Sequence, residues 1–106
     1  MEKPKKLYAE AMIRWGVPAQ IDRCIEQMAD LIKAFLTLRR EKEKSSLAHR
    51  YVQVYQEIGN VEIMLATLRE CFDPKQIDEY KQVKLRDLEK KLREAEENEY
   101  KYPKTW

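Results

Sequence analysis

From Leu47 to Phe72 the apolar residues keep to one register. Leu47, Tyr51, Val54, Ile58, Val61, Leu65, Leu68 and Phe72 step by four and three residues in alternation throughout. A helix turns once in about 3.6 residues, so this spacing lays all eight along one side of a single long helix. Seven-residue periodicity of this length requires another long helix to cover the stripe. One residue departs from the pattern. Gly59 sits in mid-helix, where glycine costs about 1 kcal/mol against alanine, and a closely approaching neighbour is the expected reason.

The rest of the chain reads as helices of the same kind. A first runs from about Leu7 to Trp15, and Gly16 can take the left-handed conformation that ends it. Val17-Pro18 restarts the chain, since proline suits a first helical turn. A second helix, about Pro18 to Lys42, carries Ile21, Ile25, Met28, Ile32 and Phe35 as a stripe facing other helices. Arg39–Lys44 reads RREKEK and is expected to be solvated, with Ser45-Ser46 as a turn that caps the long third helix. Asp73-Pro74 is an N-cap followed by proline, and a fourth helix extends to about Asn98 with Ile77, Tyr80, Leu85, Leu88, Leu92 and Ala95 on its apolar side. Residues 1–6 and 99–106 are expected to be flexible tails of one domain spanning 1–106.

Composition agrees. Charged residues make up 38% of the 106 and glycines number two, which favours long surface-charged helices over sheet. An all-α bundle of about four helices follows. Its stripes exceed what one copy can cover, so oligomerisation is expected to complete the core. The net charge of +2 comes from near-equal numbers of both signs and gives no pull toward specific nucleic-acid binding. No apolar run nears the ~18 residues of a membrane span and no secretory leader is evident, so a cytoplasmic protein is expected. Cys24 and Cys71 fall at apolar helical positions and read as reduced core thiols. His49 is the only histidine, which excludes a His-based triad or His-rich metal site within one subunit. No phosphate-binding glycine loop, Cys-x-x-Cys pair or nucleophile elbow is present.

Chemistry-bearing side chains recur three residues apart at two places. Gln27 and Asp30 lie in CIEQMADLIK, and Glu57 and Asn60 in YQEIGNVEIML. A three-residue step sets two side chains on one helix face. Two such pairs on packed helices would bring four oxygen-bearing groups together, which is how helical bundles build metal sites and suits a hard ion such as Mg²⁺. The other reading is an interhelical ion pair to Lys33, Arg50 or Arg69, or plain solvation.

With these motifs the chain resembles the all-α nucleoside triphosphate pyrophosphohydrolases of the MazG type. That family carries Glu-Glu-x-x-Glu on one helix and Glu-x-x-Asp on a second; here stand Glu26-Gln27-Met28-Ala29-Asp30 and Glu57-Ile58-Gly59-Asn60. The resemblance spans roughly Ala9 to Leu92 and includes Trp15-Gly16 and Gln20 ahead of the first motif. Gln27, Asp30 and Asn60 depart from the family's Glu, Glu and Asp.

The resemblance implies a Mg²⁺-dependent (Mn²⁺ also possible) hydrolase held as a homodimer or homotetramer. Its substrate would be a ribo- or deoxyribonucleoside triphosphate, cut by water near the α-phosphate to monophosphate and pyrophosphate. Gln27, Asp30, Glu57 and Asn60 would be the metal positions, with Glu26 orienting the water. Lys81, Lys84 and Arg86 are candidates for the phosphates, as are Arg39-Arg40, and Trp15 and Gln20 for the base. Replacing two carboxylates by amides removes two negative charges. A catalytically silent nucleotide-binding or protein-interaction module is therefore the alternative, with deliberate silencing of the site or a plain helical scaffold as further rivals.

Overall fold

The structure, a computed structural model, describes residues 3–97. Three helices account for nearly all of them: α1 (Lys3–Arg40), α2 (Lys44–Leu68) and α3 (Pro74–Glu97). No strand occurs among the described residues. Helix begins already at Lys3, so only residues 1 and 2 of the expected 1–6 tail lie outside the description, as does all of the 99–106 tail. The chain divides after Phe72 into two compact units, the first holding α1 and α2 and the second α3.

α1 is continuous in outline but broken at Gly16, whose backbone stands at φ 80°, ψ 165°. This is positive φ with an extended ψ rather than the left-handed helical geometry expected at a helix end, and it is a region that is essentially glycine's alone. Pro18 follows in the first turn after the break, where its missing N–H costs nothing. The expected first two helices are thus the two segments of α1.

Residues 41–43 join α1 to α2, and so short a connection makes the two helices antiparallel neighbours. α2 starts three residues earlier than the sequence suggests. Ser45 and Ser46 are helical, and Glu43 is the N-cap without a side-chain capping bond. Asp73 does cap α3, its Oδ1 accepting from Lys75 N at 3.0 Å and from Gln76 N at 3.4 Å.

The seam between α1 and α2 runs through Gln20, Cys24, Gln27, Leu31, Ala34 and Leu38 on one side. Val54, Glu57, Val61 and Met64 answer on the other. Near the connection it is apolar, with Ala34, Leu38 and Val54 in contact and Leu47 and Ile58 packed on them. The stripe expected to face other helices lies one residue further round α1. Ile25, Met28, Ile32 and Phe35 of that stripe are exposed, and only Ile21 is half-buried. α1 has bulky residues on more than one face, and a single partner helix covers only one of them.

Two further expectations are corrected. A Cβ built on Gly59 meets nothing within 4 Å, so no close neighbour explains this glycine within the chain. Cys24 is a buried thiol as expected, but Cys71 is exposed, lying beyond the end of α2 where its Sγ contacts Leu68 O at 3.2 Å.

Candidate polar site between the first two helices

The seam turns polar midway along its length. Gln27 occupies the position between Cys24 and Leu31 on α1, and Glu57 the position between Val54 and Val61 on α2. Gln27 Oε1 and Glu57 Oε2 are both shielded from solvent, and neither has a hydrogen-bond partner. Leaving a buried acceptor unmatched costs about 1–3 kcal/mol, and more where the group is charged. A cation or a proton donor reaching either oxygen would relieve it.

Asp30 and Glu57 line one polar cavity of about 350 Å³ between the helices. Lys33 and Thr37 border it from α1, and Arg50 and Gln53 from α2. The cations are thus close to the acids, but Arg50 is directed elsewhere. Its Nε donates to Glu41 Oε1 at 2.9 Å and its Nη1 to Gln53 Oε1 at 3.4 Å. That hydrogen bond from Arg50 holds the Glu41 carboxyl below the ordinary glutamate value.

The five positions of the two motifs are only partly brought together. Asp30 and Glu57 share the cavity and Gln27 shares the buried seam, whereas Glu26 and Asn60 are exposed and line no part of it. Among the described residues no group of three or more His, Cys, Asp or Glu is placed to hold a metal ion. The carboxylates that line the cavity are those of Asp30 and Glu57, and Gln27 does not line it. That pair of carboxylates fits a divalent cation retaining several ligands from water or a bound phosphate, as Mg²⁺ commonly does, and not an all-protein cage.

The other candidates fall elsewhere. Trp15 is largely exposed and lines an apolar cavity of about 620 Å³ with Leu7, Tyr8, Ala11 and Ile63. Its seven-residue separation from Tyr8 was the available sign that both share a helix face. Gln20 is buried, with Nε2 lacking an acceptor. Lys81 and Lys84 flank an apolar groove on α3, and Arg86 is exposed on the same helix. Thr37, Gln53 and Gln56, which line the polar cavity, were not singled out from sequence; Thr37 lies seven residues from Asp30 and Gln53 four from Glu57, at helical spacing, whereas Gln56 is the chain neighbour of Glu57.

No protein-family model, curated protein or solved structure matched the chain. Among the described residues, no helix is long and apolar enough to cross a membrane.

Proposed function

We propose that the chain is a MazG-like nucleotide pyrophosphohydrolase with a reduced metal site between α1 and α2. The observation that carries this reading is the buried, unpartnered Oε2 of Glu57 on the cavity that Glu57 shares with Asp30, with a second unpartnered oxygen, Gln27 Oε1, on the same seam. Asp30 and Glu57 would hold Mg²⁺, with Mn²⁺ as a substitute. A bound cation would lower the pKa of a water and polarise phosphoryl oxygens. Lys33, bordering the same cavity, is the side chain best placed to meet substrate phosphate charge. Hydrolysis would break the α–β phosphoanhydride bond, with water's oxygen added at the α-phosphorus and a proton released. Glu26, which is exposed, would act in this scheme only at the outer edge of the site.

The exposed apolar stripe of α1, Ile25, Met28, Ile32 and Phe35, supports completion of the core by a second copy or by a tetramer. The runner-up is a catalytically silent nucleotide-binding or helical interaction module. The amides at 27 and 60 and the exposure of Glu26 and Asn60 favour it.

Pyrophosphate release from a panel of ribo- and deoxyribonucleoside triphosphates, with Mg²⁺ and then Mn²⁺, tests the reading. A Gln27→Glu/Asn60→Asp variant is assayed beside the parent. Release by the parent supports the reduced site as sufficient. Release by the variant alone marks a silenced pocket, and silence in both removes the enzyme reading. Thermal stabilisation by the same nucleotides then separates a binder from a scaffold.

A further inference from the structure

No residue of α3 is buried, yet the helix has an ordered apolar seam. Leu85, Leu88, Leu92 and Ala95 step by three, four and three residues, and the three leucines are each about half exposed. This is the a/d spacing of a two-stranded coiled coil, with Leu85 and Leu92 at a and Leu88 and Ala95 at d. The same register puts Lys84 and Lys91 at g, and Glu89 and Glu96 at e.

The charges then specify partner and direction. In a parallel pair each g residue lies beside the e residue five positions further along the other helix. Lys84 meets Glu89 of a second copy, and Lys91 meets its Glu96. All four such contacts of a symmetric pair are attractive. An antiparallel pair would set g against g and e against e, facing lysine with lysine and glutamate with glutamate.

We propose that α3 is a self-recognition element that pairs in parallel and in register with α3 of a second copy of this chain. In this register Asp78 and Lys81 fall at a and d, where each would face its own copy across the pair, so the paired seam begins at Leu85. Glu89 is drawn toward Arg93 in its own helix, but an exposed pair of this kind contributes little and does not withhold Glu89 from a partner's lysine. The apolar seam spans fewer than two heptads, so the pairing is weak by itself and gains from any further contact between the copies. It is independent of the nucleotide reading.

The test uses the full chain in sedimentation equilibrium over a concentration series. Two charge-reversed variants, Lys84→Glu/Lys91→Glu and Glu89→Lys/Glu96→Lys, each face like with like. Each is expected to lower the association constant at least about tenfold, and an equimolar mixture of the two restores it. Helix content by circular dichroism and this mutual rescue show that the variants remain folded. Direction is read from Ala95→Cys in a Cys71→Ser background with oxidised glutathione as oxidant. Two d-position thiols in parallel register lie within disulfide reach, so a covalent dimer forms with release of two reduced glutathiones. A parent that stays monomeric, reversals that leave association unchanged, or association without the cross-link would each overturn the proposal.

Discussion

Gln27 and Glu57 each bury one side-chain oxygen on the α1–α2 seam, and both oxygens lack a hydrogen-bond partner. A seam serving only to hold two helices together gains nothing from two unmatched acceptors. Replacing Gln27 by leucine removes one of them and extends the apolar contact between Cys24 and Leu31. Gln27→Leu is expected to raise stability by about 1 kcal/mol or more, read as a higher urea midpoint at unchanged slope. A lowered midpoint would mean that the amide is satisfied in solution.

If the same oxygens serve a cation, Mg²⁺ stabilises the folded chain. The parent's melting temperature is expected to rise with Mg²⁺ concentration, by the usual linkage between binding and folding. Glu57→Gln should abolish that rise, because it removes one of the two carboxylates on the cavity. A rise of equal size in both proteins would place any bound Mg²⁺ elsewhere.

The Arg50–Glu41 hydrogen bond ties α2 to the connection that precedes it. Glu41's carboxyl is held below its ordinary value in the folded chain, first by that bond. The folded state therefore binds the proton less readily than the unfolded state. The contribution is fully present above the unfolded glutamate pKa and is lost as pH falls through the lowered folded one. Arg50→Met should be less stable than the parent at neutral pH, with the gap closing in acid. A gap that is constant from neutral to acid pH would remove the ion pair as its cause.

The helices were legible because their signals are local. Asp73-Pro74 carries its own cap, and Gly16-Val17-Pro18 carries its own break. The face that each helix turns to its neighbour was less legible. Ile25, Met28, Ile32 and Phe35 form the most apolar stripe of α1, yet Cys24, Gln27, Leu31 and Ala34 make the contact with α2. Periodicity gives the pitch of a helix and not its rotation when apolar residues occur on two faces. The same limit governs the site. Three-residue spacing placed Gln27 with Asp30 and Glu57 with Asn60, but small rotations of each helix decide which member faces inward. Glu57 turned in and Asn60 out.

Gly16 is the position where backbone geometry alone sets the cost of a side chain. Its φ of 80° with ψ of 165° is open to glycine and strained for any L-residue, although a Cβ there would meet only Pro18 Cδ, at 3.9 Å. Gly16→Ala should destabilise the chain by about 1–3 kcal/mol, seen as a fall in melting temperature. If stability holds instead, the break in α1 relaxes into helix without cost.

Gly59 gives the opposite expectation. It lies inside α2 with helical backbone and with open space where a Cβ would go. Alanine there lowers the entropy lost on folding without creating a clash. Gly59→Ala should therefore raise stability by about 1 kcal/mol when measured by denaturant unfolding at low protein concentration. Repeating the measurement at high concentration adds a second reading. Should a further copy pack against α2 at Gly59, the added methyl would weaken association, and the gain would shrink as concentration rises. A gain that is the same at every concentration leaves this face of α2 open to solvent in the assembly and assigns copy-to-copy contact to other surfaces.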